Sequence, residues 1–82
     1  MYDYTIHPDN SSHAFEHTCK KIEQCFPHWH KEALLVDVDG STLQTYSFGK
    51  SRIAVYNSYY LGAVYIASDI DLPKELVDMN PW

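Results

Sequence analysis

The residues best suited to chemistry crowd one short stretch. Both cysteines and four of the five histidines fall between residues 13 and 30: His13, His17, Cys19, Cys25, His28 and His30. Thiolates and imidazoles are zinc ligands, so a Cys-x5-Cys-x2-His-x-His arrangement invites a metal reading. The common zinc patterns space their ligands differently. His13 and His17 stand four residues apart and could clip an ion, but on a helix they face away from Cys19. Six ligands on one such helix cannot converge. Cys25, His28 and His30 remain a cluster just beyond the helix end. The simpler reading is of cysteines behaving as small hydrophobes and of solvated histidines. We therefore assign no metal and no cofactor, with a metal-binding domain on segment 13–30 as an alternative. A disulfide is also disfavoured. Six residues of helix separate the two Cα atoms by about 9 Å of rise, and bridging wants about 4.4–6.8 Å. Free thiols fit a reducing compartment. The clustered histidines would make this end of the chain more positive on acidification.

A second pair of candidates is acidic. Leu34-Leu35-Val36-Asp37-Val38-Asp39-Gly40-Ser41-Thr42-Leu43 is an apolar run ending in spaced aspartates and a glycine. It resembles the first motif of haloacid-dehalogenase-type phosphatases. The resemblance implies Asp37 as nucleophile, Asp39 as general acid and a Mg²⁺ ion, on a parallel sheet with crossover helices. Val64-Tyr-Ile-Ala-Ser-Asp69-Ile-Asp71 is similar to a later strand with metal-binding acids. The match covers about ten residues and departs by one inserted residue before Leu43. A small phosphatase-like enzyme on Asp37 and Asp39 is thus a further alternative. Read from the residues alone, Asp39-Gly40 is a hairpin turn. Only 29 residues separate Asp39 from Asp69, and they read as strands and turns rather than crossovers. No glycine-rich phosphate loop and no recognisable Ser or Cys nucleophile motif is present. We assign no catalytic residue.

The elements that must position these groups centre on residues 33–68. β-branched and aromatic residues fill this stretch, and three turn signals cut it into four strands. Asp39-Gly40 suits a two-residue turn, and Gly49-Lys50 and Asn57-Ser58 are weaker candidates. Tight loops would pair Val38 with Ser41, Phe48 with Ser51 and Tyr56 with Tyr59. Alternation then places Leu35, Tyr46, Phe48, Ile53, Val55, Tyr60, Val64 and Ile66 on one face. Leu34, Val36, Val38, Leu43, Tyr56, Tyr59, Leu61 and Tyr65 take the other. A one-residue slip in any turn would exchange faces. Residues 58–70 also carry helical spacing, with Gly62 weakening the strand reading.

Before the meander, Tyr2–Ile6 alternates like a short strand that could become a fifth, at a sheet edge. Asn10-Ser11-Ser12 is an N-cap cluster, and the helix it opens runs to about Phe26, with Pro27 beyond. Phe15, Cys19, Ile22 and Phe26 form its apolar stripe, flanked by Thr18 and Cys25. His13, His17, Lys20 and Gln24 fall opposite. Trp29 is placed to cap the core edge. After the meander, Asp71–Val77 reads as a short helix with Pro73 in its first turn, ended by Asn80-Pro81. The expected fold is a single α+β domain over residues 1–82: one amphipathic helix on a four- or five-stranded antiparallel meander, with a short C-terminal helix.

A sheet apolar on both faces must be covered on both. One long helix covers one. The other lies under the C-terminal segment, a second copy or a different partner. The 45% hydrophobic and 15% aromatic content is that of a folded chain. The formal charge of −5, with Lys20, Lys21, Lys31, Lys50, Arg52 and Lys74 scattered, argues against direct nucleic-acid binding. No signal peptide and no apolar run of membrane-spanning length is visible, so a cytoplasmic protein without membrane contact is expected. These features point to a small acidic protein-protein interaction module, an inhibitor of the immunity, antitoxin or phage anti-defence type. Tyr56, Tyr59, Tyr65, Asp37 and Asp39 are its expected contacts, and homodimerisation is a second possibility.

Overall fold

The computed structural model describes residues 1–77, the side chain of Glu75 excepted. The elements, in order, are β1 (Tyr2–His7), α1 (Ser12–Cys25), β2 (His30–Lys31), β3 (Leu35–Val36), β4 (Thr42–Phe48), β5 (Ser51–Ser58), β6 (Ala63–Ser68) and α2 (Lys74–Val77). The sheet order is β1-β6-β5-β4-β2, with β3 also on β4, and every pairing is antiparallel. The class is α+β, as the pattern predicts, but six strands stand where four or five are expected. Asn80-Pro81, expected to end the last helix, lies outside the described residues.

The extra strand comes from a break. The expected first strand of the meander is two fragments, β2 and β3, lying along β4. Between them the Glu32 N–H donates to the Thr45 carbonyl at 2.9 Å. The buried Gln44 side chain donates to the Glu32 carbonyl. A side-chain amide thus stands in where the ladder is interrupted. On the far edge β1 docks against β6, and a bulge between Thr5 and His7 turns Ile6 into the core.

The three turns differ in how well their chemistry predicts register. Gly49-Lys50 is a two-residue loop that pairs Phe48 with Ser51, as expected. Asp39-Gly40 is not. Asp37 and Ser41 close a three-residue loop: the Asp37 N–H donates to the Ser41 carbonyl at 2.8 Å, and the Gly40 N–H to the Asp37 carbonyl at 3.0 Å. Gly40 sits at φ +89°, the left-handed residue that completes such a loop. The one-residue difference reverses the edge strand. Leu35 lies opposite Leu43 and Val36 opposite Thr42, so Leu35 leaves the core face expected for it. The Asn57-Ser58 turn is absent as well. β5 continues through Ser58, the chain turns over Tyr59–Gly62, and Tyr56 meets Tyr65 rather than Tyr59. That shift of six positions is even, so β6 keeps its expected faces. Residues 63–68 are strand rather than helix, and Gly62 lies in the loop before it.

α1 begins where the N-cap cluster predicts. The Ser11 hydroxyl accepts from the Ala14 N–H at 3.0 Å. Ala14, Phe15, Thr18, Cys19 and Ile22 are buried against Ile53, Val55, Val64 and Ile66. Phe26 and Trp29 close the margin of this cluster, Trp29 stacking on Phe48 at 5.8 Å. Buried Asn57 explains how helix and sheet are joined. Its Oδ1 accepts from the Ser11 N–H at 3.2 Å and from the Asn10 side chain at 3.4 Å. At the helix's other end, the Tyr46 hydroxyl donates to Glu23 at 2.6 Å, and Lys31 approaches the same oxygen at 3.0 Å. Burial, then the Glu23 carboxylate, push the Tyr46 hydroxyl well above its usual range.

α2 begins later than expected, at Lys74, with Pro73 preceding it. Leu72 and Leu76 are buried in the same cluster as Phe15 and Ile22. The Tyr4 hydroxyl fixes the approach, donating to Asp71 at 2.8 Å and accepting from the Leu72 N–H at 3.1 Å. α2 therefore packs beside α1 on the same side of the sheet. It does not cover the opposite face, one of the three covers the sequence allows.

Two outcomes follow from these anchors. Asn57→Ala leaves two donors at the helix start without their acceptor and should cost about 1–3 kcal/mol, read as a lower urea midpoint. Glu23 is held below the usual carboxylate range by the Tyr46 hydroxyl and then by Lys31, against a smaller cost of burial. A depressed folded pKa contributes stability present above the unfolded value and lost as pH falls through the folded one. Thermal stability should therefore drop on acidification below about pH 4.5, and Glu23→Gln should lessen the drop.

Candidate functional site

The face opposite the helices carries one continuous row. Leu35 lies opposite Leu43, Leu43 opposite Tyr56, Tyr56 opposite Tyr65 and Tyr65 opposite Thr5. Cross-strand neighbours are close enough to pack, and the Tyr56 and Tyr65 rings stack at 4.6 Å, 9° from parallel. The next row is small: Thr45, Ala54, Ala67 and Asp3. The result is a ridge of two leucines and two tyrosines beside a shallow trough. Burial raises the Tyr65 hydroxyl above its usual range, with Tyr56 and Asp3 adding to the effect, so it is a neutral donor at physiological pH.

The expected contact residues gather around one end of this face. Tyr56 and Tyr65 belong to the ridge. Tyr59 sits on the β5–β6 loop, its backbone N–H donating to the Ser41 hydroxyl at 2.8 Å. Its ring packs on Gly40, where an added Cβ would stand 3.2 Å from it. Asp37 and Asp39 flank the facing β3–β4 loop. One oxygen of Asp37 accepts from the Val38 N–H at 2.7 Å, and one of Asp39 from the Ser41 N–H at 2.9 Å. The hydrogen bonds from Ser41 hold the Asp39 carboxyl below its usual range. Between the two loops opens a groove of about 420 Å³, lined by Leu35, Leu43, Tyr56, Tyr60, Asp37 and Asp39 among others.

Leu35 and Tyr60 are the members that sequence reasoning assigned to the wrong face. Both are exposed, at 59% and 90%. The signal for Leu35 is the three-residue loop itself, legible in an Asp at its start and a Gly at its left-handed position. Tyr60 lies on a four-residue loop that the Asn57-Ser58 reading shortens. Leu34, Val36, Val38 and Leu61, expected on this face, are exposed instead on the edge strand and the end loops.

The other candidate groups are dispersed. Asp69 lies at the opposite end of the sheet, its carboxylate accepting from the Arg52 N–H at 3.1 Å. From Arg52 to Ser58 the strand spans roughly 20 Å, so Asp37 and Asp39 cannot share an ion with Asp69. The wholly antiparallel sheet also differs from the parallel one that the phosphatase resemblance implies. On α1, Cys19 is buried and Cys25 exposed, both as free thiols. The His13 and His17 rings lie 6.3 Å apart on the exposed side. Among the described residues no three His, Cys, Asp or Glu side chains converge to hold a metal. No helix among them is long and apolar enough to cross a membrane.

Burial pushes the Cys19 thiol up, away from reactivity. A thiol reagent should thus modify one cysteine rapidly in the native protein and the second only in denaturant, and Cys25→Ser should remove the fast phase. Protein-family models, curated proteins and solved structures contain no match to this chain.

Proposed function

We propose that this chain is a small acidic protein-binding module whose open sheet face occupies a surface of another protein. One observation carries the reading: both helices pack on one side of the sheet, and the ridge of Leu35, Leu43, Tyr56 and Tyr65 lies on the other. A half-exposed apolar row joined to exposed loop residues makes the kind of contiguous patch that marks interaction surfaces. Its composition suits the role, since aromatic residues are enriched at interface cores. Tyr56 and Tyr65 offer large contact areas with few rotatable bonds, each brace for the other. The formal charge of −5 favours a partner with a basic surface. Size, charge and a rigid open face suit an inhibitor that blocks its target by occupancy, in the manner of immunity proteins, antitoxins and phage anti-defence proteins. This assignment is by analogy of form.

The test is affinity capture from host lysate, with wild type beside Tyr65→Asp and a Tyr56→Ala/Tyr59→Ala double variant. Each variant is first shown by urea unfolding to keep its fold. We expect wild type to retain one stoichiometric partner and both variants to lose it. Retention of the same partner by both variants would place binding elsewhere. Sedimentation showing a homodimer at every concentration, with nothing else captured, would mean that the face is buried against itself.

A further inference from the structure

We infer that the groove between the β3–β4 and β5–β6 loops takes an arginine side chain from an extended segment of the partner. This inference rests on the sheet face being the docking surface and names the chemistry recognised at its end. The groove has apolar walls, Leu35 and Leu43, two aromatic rings, Tyr56 and Tyr60, and two carboxylates, Asp37 and Asp39. No lysine, arginine or histidine lines it. A cation is the complement of such a lining. The aliphatic stem of a long side chain fits against the leucines, and its charged head reaches the carboxylates.

The carboxylates are arranged to receive it. Each aspartate spends one oxygen on a loop N–H, which fixes the carboxylate's orientation. Neither has a basic side chain within ion-pair distance among the described residues. Guanidinium suits the site better than ammonium. It is planar, stacks on tyrosine faces and pairs with carboxylates through two N–H groups at once. A volume of about 420 Å³ holds one long side chain and its flanking backbone rather than a folded element.

A second copy of this chain would be the rival occupant. Arg52 is exposed and belongs to the same face, near its other end. A face-to-face pair with the strands running in opposite directions would bring it toward the groove. Each copy also carries five net negative charges, which oppose that pairing and favour a basic partner.

The experiment is a heteronuclear NMR titration of the full chain with three peptides: acetyl-Leu-Arg-Leu-amide, its lysine analogue and its citrulline analogue. Citrulline keeps the shape of arginine and lacks the charge. The arginine peptide should shift the Leu35 and Leu43 methyls and the Tyr56 and Tyr60 rings saturably. It should bind about tenfold more tightly than the citrulline peptide, the factor expected of one charge-assisted hydrogen-bonded contact. An Asp37→Asn/Asp39→Asn variant, which keeps the loop acceptors, should lose a similar factor. Equal binding of citrulline would overturn the cation, and equal binding of lysine the guanidinium. Shifts elsewhere, or none, would overturn the site. If the groove signals of the protein alone move on dilution and Arg52→Ala abolishes that movement, the occupant is a second copy. Should the peptides fail while Tyr65→Asp still abolishes capture, the docking face stands without this groove.

Discussion

The architecture depends on one constraint: a chain this short has one long helix with which to cover a sheet. α1 rises about 1.5 Å per residue over fourteen residues, roughly 21 Å. Its start is tied to Asn57 on β5 and its end to Tyr46 on β4, so it lies over the middle of the sheet. One face is therefore covered at its centre, where Ile53, Val55, Val64 and Ile66 are fully buried beneath the helix. α2 is too short to close another face, and it extends the cover of the first toward β1. Because side chains alternate along each strand, every residue committed inward commits its neighbour outward. The open ridge is the obligatory counterpart of the core.

The core is held in register by polar groups that hydrophobic burial alone would not place. Asn57 is buried and would be costly there without partners. Its bonds to Ser11 and Asn10 fix where the helix begins relative to β5. Gln44 does the same at the other margin, bridging β4 to the break in the edge strand. These two side chains fix the sheet against both its helix and its fragmented edge. The burial that satisfies them also explains why Asn57, a residue common in turns, lies inside a strand.

How much of this was legible in the sequence follows from parity. The loop before β6 differs from the expected turn by an even number of positions, so the pattern places Tyr56 and Tyr65 on the correct face although not opposite each other. The loop before β4 differs by one, which puts Leu35 on the face opposite to the expected one. Turn chemistry names a turn from a dipeptide but does not fix its length, and length decides parity. The helix stripe was readable because its period is intrinsic to the helix. The location of α2 was not, since it depends on a hydroxyl of Tyr4 meeting residues almost seventy positions away. The tyrosine face could thus be foreseen, and the groove could not.

The groove and the reversed edge strand have one origin. A two-residue turn at Asp39-Gly40 would have sent Leu35 inward and set Val36 in its place opposite Leu43. The three-residue loop rotates Leu35 outward to extend the row of Leu43 and Tyr56. The same loop presents Asp37 and Asp39 on its flanks, each with one oxygen occupied by the loop's own backbone. Gly40 permits the left-handed backbone and leaves the space into which Tyr59 packs, which ties this loop to the one across the groove. Wall, charge and closure all follow from one glycine with a positive φ. Any side chain at position 40 would strain the turn and press on the Tyr59 ring together, so the two loops that flank the groove are coupled through this position.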